Sequence, residues 1–232
     1  MIIFVLIKKG GTKMHEVSTS ILNLDKKSEA EVILGLEKAR TDYFHIDVMD
    51  GKFVKKNTYN RMKELSSYIK RISNLPLDVH LMVEDINLGI EDFLAYEPNI
   101  ITFHIEACRD EEEVFKFINL IKENHSKVGI AIKPNTKIEE IYKFLPYIHL
   151  LLVMTVEPGK GGQTLISDMV DKIRALKIFI DENSLDTVIE VDGGINLATS
   201  EKVKNAGAEI LVSGTAILMA KNYKDIIDEL KQ

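Results

Sequence analysis

The residues with the clearest chemical potential are histidines and aspartates at the ends of short apolar segments. Three segments carry them: H-I-D-V-M-D-G (45–51), L-D-V-H-L-M-V (77–83) and I-E-V-D-G-G-I (189–195). His45 and Asp47 are two residues apart, so on a strand both side chains project from the same face. With His80 and Asp192 they form a set that could bind a divalent metal, and the aspartates could also transfer protons.

Alternating strands and helices must position these residues. Short β-branched apolar runs predict strands at 16–22, 43–48, 77–82, 99–104, 127–132, 149–155, 187–192 and 209–213. Amphipathic patterns predict helices near 26–40, 58–72, 87–96, 111–124, 137–144, 165–182, 199–205 and 222–231. Eight such units without a linker favour a single (β/α)8 TIM barrel over a doubly wound sheet. The first strand is also not followed by the G-x-G-x-x-G of dinucleotide-binding folds.

Composition excludes several classes of function. The net charge of −6 argues against binding the nucleic-acid backbone, which requires a basic surface. No apolar run approaches the ~20 residues of a membrane-spanning helix. The single cysteine, Cys108, excludes an internal disulfide framework. We therefore expect a cytoplasmic protein with no nucleic-acid or membrane partner.

Residues 1–13 form an N-terminal extension with two interpretations. The run M-I-I-F-V-L-I lacks the charged region and cleavage site of a signal peptide. Gly10-Gly11-Thr12-Lys13 before Met14 could be a translated ribosome-binding site, which would make Met1 a mis-called start. The alternative is an extra strand or an ordered arm. The mass of the natively expressed protein distinguishes the two.

A family resemblance is carried by six ordered segments: T-S-I-L, Y-F-H-I-D-V-M-D-G-x-F-V, P-L-D-V-H-L-M-V, V-M-T-V-E-P-G-K-G-G-Q, I-E-V-D-G-G-I and V-S-G-T-A-I. Together they resemble the ribulose-phosphate 3-epimerases from about residue 15 to 220. The resemblance implies that residues 14–232 form a ribulose-phosphate-binding TIM barrel domain. It further implies an isomerase of carbohydrate metabolism that acts on a ketose phosphate, and we expect a homo-oligomer.

The resemblance also assigns the metal site and the chemistry. It implies that His45, Asp47, His80 and Asp192 bind one divalent ion, with zinc or iron expected and manganese or cobalt also suited to these ligands. Asp47 and Asp192 would be the catalytic acid/base pair. Inversion at C3 removes a proton from one face and returns one to the other, and a bound cation stabilises the enediolate formed between the two steps.

Further positions match the family's substrate site. The substrate-binding residues implied are Ser20, His80, Gly159, Lys160, Gly161, Gly162, Gly193, Gly194, Gly214 and Thr215. Gly193, Gly194, Gly214 and Thr215 would form the phosphate cradle, aided by a short helix after the last strand. The methionines that would line the site are Met49, Met82 and Met154.

Nearby polar residues are interpreted as structural. Asp50 should fix the loop before Gly51. Asp78 should orient a metal ligand. His104, in H-I-E, should make a structural hydrogen bond rather than bind metal.

Departures from the family pattern leave the substrate open. Thr19 replaces a proline, the 52–58 loop reads K-F-V-K-K-N-T, and Glu157 and Lys160 occupy altered loop positions. Lys160 either reaches a phosphate or points to solvent. The leading reaction is D-ribulose 5-phosphate to D-xylulose 5-phosphate, and the nearest alternative is D-allulose 6-phosphate to D-fructose 6-phosphate. A non-catalytic sugar-phosphate-binding paralogue is the alternative of another class. An orotidine-phosphate-type decarboxylase is disfavoured because D-x-K-x-x-D is absent.

Overall fold

The structure, a computed structural model, describes residues 14–232 and contains a closed barrel of parallel strands. The strands are β1 Glu16–Ser20, β2 Tyr43–Met49, β3 Leu77–Met82, β4 Ile100–His104, β5 Lys127–Ile132, β6 Leu150–Met154, β7 Val188–Asp192 and β8 Ile210–Ser213. Each strand pairs with the next, and β8 closes on β1. The predicted TIM barrel is therefore confirmed. The predicted extension at residues 1–13 lies outside the described residues.

Helices surround the barrel, one after each strand except β5, which is followed only by 3₁₀ turns, and β8, which is followed by two helices. They are α1 Glu29–Lys38, α2 Tyr59–Ile72, α3 Ile86–Leu94, α4 Glu111–Glu123, α5 Met169–Glu182, α6 Leu197–Ala206, α7 Thr215–Leu218 and α8 Tyr223–Lys231. Their apolar faces pack on the outer face of the barrel in one large core. Among the described residues, no helix is both long and apolar enough to cross a membrane.

The fifth βα unit differs from the prediction. In place of a helix over 137–144, the chain forms two 3₁₀ turns, Ile138–Glu140 and Leu145–Tyr147. Pro146 occupies one of the first positions of the second turn, where its missing N–H costs no hydrogen bond. The apolar residues here have helical spacing, but the chain buries them with 3₁₀ turns instead of an α-helix.

A lysine from the next helix supports this irregular unit. Lys172 of α5 is half-buried, and its ammonium group donates to the backbone carbonyls of Lys133, Pro134 and Thr136. One side chain thus binds three carbonyls of the loop between β5 and the first 3₁₀ turn. The loop after β5 takes its shape from this contact.

The interior of the barrel is divided between apolar and polar groups. An apolar cluster includes Ile100, Ala131, Leu150 and Leu152, on the β4–β6 side. Buried polar side chains lie elsewhere in the interior: Ser18, His45, Asp78, His80, Thr102, His104 and Glu190. Buried polar groups are costly unless they are paired, so this concentration marks a functional region.

The strand register arranges the polar groups in two layers. His45 pairs with Asp78, and two residues further along the strands Asp47 pairs with His80. On β7 the same two-residue step separates Glu190 from Asp192. Because side chains alternate along a strand, each pair faces the barrel interior. The upper layer lies at the carboxyl ends of the strands.

Candidate active site

Four predicted metal ligands meet at the carboxyl end of the barrel. His45 and Asp47 come from β2, His80 from β3 and Asp192 from β7. Asp47 Oδ1 lies 3.4 Å from His45 Nε2 and 3.5 Å from His80 Nδ1, and His80 Nδ1 lies 4.0 Å from Asp192 Oδ2. One ligand atom from each residue falls within 4.8 Å of the other three. The structure therefore brings the whole predicted quartet together.

The chemistry of these atoms fits a divalent metal. His45 Nε2 and His80 Nδ1 are buried and have no hydrogen-bond partner within residues 14–232. A buried nitrogen without a partner is costly, and a metal ion would supply the missing interaction. Two imidazoles with two carboxylates suit zinc, iron, manganese or cobalt. The arrangement itself does not select one of these metals.

Asp78 lies directly behind His45. Its Oδ2 atom is 2.6 Å from His45 Nδ1 and also accepts a 2.8 Å hydrogen bond from the Ser18 hydroxyl. This contact orients the imidazole so that Nε2 faces the other ligands. The geometry agrees with the expectation that Asp78 orients a ligand. The ligand is His45 on the neighbouring strand.

Glu190 is a buried carboxyl that sequence reasoning missed. It is fully buried in the lower layer, where one of its carboxylate oxygens, a ring nitrogen of His45 and a carboxylate oxygen of Asp78 lie within 4.8 Å of one another. Burial, together with the negative charge of Asp78, raises the pKa of Glu190 well above its usual value. The signal in the sequence was a glutamate at an inward position of a buried strand.

The two proposed catalytic carboxyls have opposite electrostatic environments. Burial would raise the pKa of Asp47, but electrostatic attraction to the nearby imidazoles of His45 and His80 holds it well below its usual value. Burial and the charge of Asp47 raise the pKa of Asp192 to about 7. Without a metal, Asp47 is therefore ionised near neutral pH while Asp192 is partly protonated.

A cavity of about 300 Å³ opens above these carboxyls. Ser20, Asp47 and Asp192 line it, and the Ser20 hydroxyl donates a 2.8 Å hydrogen bond to Asp47 Oδ2. The three predicted methionines, Met49, Met82 and Met154, are buried and line the same cavity. His80 is fully buried and is not among the lining residues, although it belongs to the cluster of four candidate metal ligands.

The glycines predicted to bind the substrate or its phosphate lie on the β6–β8 side of this cavity. The lining residues from the prediction are Gly159, Lys160, Gly161, Gly162, Gly193, Gly194, Gly214 and Thr215. Gly194 has a φ of +69°, and a Cβ there would lie 2.4 Å from the backbone nitrogen of Leu165. Only glycine fits this position without moving the backbone. Lys160 lines the mouth and is exposed.

Two side chains, Thr58 and Asp50, fix the end of β2 and the loop after it. Thr58 Oγ1 donates to the backbone carbonyl of Asp47 and accepts from the Met49 N–H. Asp50 accepts from the N–H groups of Lys52 and Phe53, and its other oxygen accepts from the Glu84 N–H. As expected, Asp50 organises the loop after β2. It is not among the residues lining the cavity described above.

His104 belongs to a hydrogen-bonded chain that reaches His80. Its Nε2 lies 2.9 Å from His80 Nε2, and its Nδ1 lies 2.9 Å from Glu106 Oε2. Burial lowers the pKa of His104 to about 4. Burial would raise the pKa of Glu106, but hydrogen bonds from His104 and its neighbours outweigh burial and lower that pKa to about 2. His104 was expected to make a structural hydrogen bond, but its partner could not be read from the sequence.

Comparison with known proteins agrees with the sequence motifs. Residues 16–218 match the model of the ribulose-phosphate 3 epimerase family. The chain is 40% identical to a ribulose-phosphate 3-epimerase of Methanocaldococcus jannaschii, with 94% of this chain and 91% of that one covered. A ribulose-phosphate 3-epimerase of Bacillus subtilis is 37% identical, with 94% and 99% covered. That of Escherichia coli K12 is 36% identical, with 94% and 96% covered.

More distant solved structures share the fold. KGPDC from Streptococcus mutans superimposes with a TM-score of 0.68 at 12% identity, covering 94% of this chain and 96% of that one. A 3-hexulose-6-phosphate synthase gives a TM-score of 0.63 at 14% identity, covering 94% and 98%. At this identity the likeness concerns the barrel alone. The family match and the curated relatives go further, and they show that this chain belongs to the ribulose-phosphate 3-epimerase family and is an isomerase.

Proposed function

We propose that the protein is a metal-dependent epimerase that interconverts D-ribulose 5-phosphate and D-xylulose 5-phosphate. The observation that carries the proposal is the placement of Asp47 and Asp192. They come from β2 and β7, line one cavity, and both lie within 4.0 Å of His80 Nδ1. The names of the relatives support the pentose substrate.

Two carboxyl groups account for inversion at one carbon. One of them accepts the proton from C3, and the electron pair of the broken C–H bond forms the C2–C3 double bond of an enediolate. The other carboxyl donates its proton to the opposite face of C3. The Ser20 hydroxyl, bonded to Asp47 Oδ2, leaves Asp47 Oδ1 for the other interactions of the site. A general acid or base contributes about 10²–10⁴-fold.

The proposed metal position is formed by His45, Asp47, His80 and Asp192. A divalent cation held there would supply Lewis-acid stabilisation of negative charge on the substrate oxygens. Zinc or iron is the proposed ion, with manganese or cobalt as alternatives. Met49, Met82 and Met154 would exclude water from the reacting carbon.

The remaining lining residues are proposed to hold the phosphate. Gly193, Gly194, Gly214 and Thr215 face the cavity from the ends of β7 and β8. Glycine allows the backbone N–H groups to approach an anion closely. The sugar would then extend from this side toward the carboxyl pair. The Gly159–Gly162 loop would cover it.

A direct assay distinguishes the substrates. Metal-reconstituted protein is given D-ribulose 5-phosphate or D-allulose 6-phosphate, and product formation is followed with coupling enzymes. We expect the larger kcat/KM with the pentose. A larger value with the hexose would reassign the substrate, and no turnover of either would favour the non-catalytic paralogue.

The same reaction in D₂O tests the proton transfer. The product should carry deuterium at C3, because the second carboxyl delivers a solvent-exchanged proton. Product that keeps all of the original C3 hydrogen would contradict a mechanism with two carboxyl groups.

A further inference from the structure

The imidazole of His80 is supported by a chain of two further side chains. His80 and His104 are fully buried, and their Nε2 atoms lie 2.9 Å apart. His104 Nδ1 is in turn 2.9 Å from Glu106 Oε2. Both distances are those of hydrogen bonds, so each nitrogen in the chain must be either a donor or an acceptor. Which role each atom takes follows from the end of the chain.

Glu106 determines which atom is the donor and which the acceptor in each of these hydrogen bonds. Its second oxygen, Oε1, accepts a 2.6 Å hydrogen bond from the Lys133 N–H and another from the Thr136 hydroxyl. An ionised carboxylate has no proton to donate, so His104 Nδ1 must be the donor to Oε2. The loop after β5 therefore holds Glu106 as an acceptor.

The proton position fixed at Glu106 determines which nitrogen carries the proton in His104 and then in His80. A neutral His104 that donates through Nδ1 has only a lone pair on Nε2, so it must accept from His80 Nε2. A neutral His80 that donates through Nε2 has its lone pair on Nδ1. That atom lies 3.5 Å from Asp47 Oδ1 and has no hydrogen-bond partner within the described part of the chain.

We propose that Glu106 and His104 are positioning residues that hold His80 in the tautomer with a free Nδ1. The inference rests on the proposed divalent-metal site, since a free Nδ1 is what a cation requires. The opposite tautomer would place a proton at the metal position. Glu106 and His104 thus act through His80 and do not bind the metal themselves.

Water has little access to the hydrogen bonds between His80, His104 and Glu106. The ring of Phe53, from the loop after β2, lies 4.9 Å from that of His104, and the Lys133 ammonium lies 3.8 Å from the centre of the Phe53 ring. With His104 fully buried, a lost partner cannot be substituted by bulk solvent. Removal of the Glu106 charge should therefore change which ring nitrogen of His80 carries the proton.

The first test is zinc affinity, measured by competition with a chelator. Glu106→Gln keeps the shape of the side chain but adds an N–H₂ donor, which permits the opposite direction of the chain. We expect zinc to bind about 10- to 100-fold more weakly than in the wild type, the usual effect of losing a group behind a metal ligand. Glu113→Gln is the matched control, since Glu113 pairs with Arg109 on the protein surface. Its zinc affinity should not change.

Two outcomes separate this inference from the proposed function. If wild-type protein binds zinc and epimerises the substrate, but Glu106→Gln has an unchanged zinc affinity, the positioning role is wrong and the function stands. If wild-type protein neither binds zinc nor turns over substrate, the proposed function fails.

A second measurement needs no variant. Proton–nitrogen correlation spectra of wild-type protein labelled with ¹⁵N-histidine report which ring nitrogen carries a proton. With and without zinc, His104 should be protonated at Nδ1 and unprotonated at Nε2, and His80 should be protonated at Nε2. Protonation of His104 at Nε2 would overturn the inference, even if the Glu106 variant failed to fold.

Discussion

The β2–β4 side and the β6–β8 side of the barrel mouth present different groups to one cavity. The first side offers buried side chains, such as Asp47, that hydrogen bonds hold in place. The second offers glycines, such as Gly193 and Gly194, whose backbone conformations have positive φ. Side chains can exchange protons and bind metal, whereas glycine backbones provide shape and N–H donors. Asp192 is the exception, since it joins the first group from β7.

This contrast separates chemistry from binding. Variants on the β2–β4 side should reduce kcat, and variants on the β6–β8 side should raise KM. Three predictions test that division and one tests the electrostatics of Asp192, which joins the first group from the other side; they follow in order of decreasing effect.

The largest effect is expected for Asp47→Asn. The variant loses both a proposed proton-transfer group and a metal ligand, so kcat should fall by at least about 10³-fold. The measurement is kcat at saturating substrate and metal, together with bound metal content. Asp186→Asn, at an exposed position just before β7, is the control and should retain wild-type activity. Turnover near the wild-type rate in Asp47→Asn would contradict the division.

The second prediction concerns stability without metal. The folded-state pKa of Asp192 is about 7, well above that of the unfolded chain, so this residue favours folding at low pH and that contribution is lost as pH rises from about 4 to 7. An asparagine side chain at this position has no proton to lose. At pH 8, Asp192→Asn should therefore raise the free energy of unfolding of metal-free protein, by up to roughly 4 kcal/mol.

Urea unfolding at several pH values measures this effect. The difference between variant and wild type should vanish below about pH 4, where the carboxyl is protonated in both states. Saturating zinc should reverse the sign, because the variant lacks a ligand. A variant that is less stable than wild type at pH 8 without metal would show that Asp192 is not destabilised by its neighbours.

The third prediction concerns Gly194→Ala on the opposite side. A Cβ would meet the backbone of Leu165, so the loop must move, and KM for the sugar phosphate should rise about tenfold with a smaller change in kcat. Gly207→Ala is a matched control, because Gly207 also has a positive φ, of +115°, but ends α6 away from the cavity. The control should lose stability and keep its KM. A loss confined to kcat in Gly194→Ala would assign this side to chemistry.

The smallest effect is expected for Lys160→Ala. Lys160 is exposed at the cavity mouth, so water and salt screen its charge. KM should rise less than about threefold, and added salt should remove the difference. Steady-state kinetics at low and high ionic strength measure this. A rise of tenfold or more would indicate direct contact with the phosphate, and an unchanged KM would leave the side chain without a role in binding.

The sequence was sufficient to predict the barrel and the quartet because both depend on short-range patterns. Strand periodicity and the position of strand ends bring His45, Asp47, His80 and Asp192 to the same end of any such barrel. Asp50 was equally readable, since its hydrogen bonds to Lys52 and Phe53 are local.

Contacts between strands were not predictable in the same way. The partner of Asp78 is His45 on β2, and the partner of His104 is His80 on β3. These pairs depend on the register between strands and on side-chain rotamers, which no local pattern specifies. The helix expected at 137–144 was wrong: the apolar spacing was helical, but the chain forms the 3₁₀ turn Ile138–Glu140 there.

Lys172 has a consequence for how the protein can be altered. Its ammonium group gathers the carbonyls of the loop after β5, and the same loop supplies the Lys133 and Thr136 donors to Glu106. The fifth βα unit is therefore not an interchangeable module, because part of its architecture belongs to the helix of the next unit. A segment transplanted between relatives at this point must include α5 with the loop.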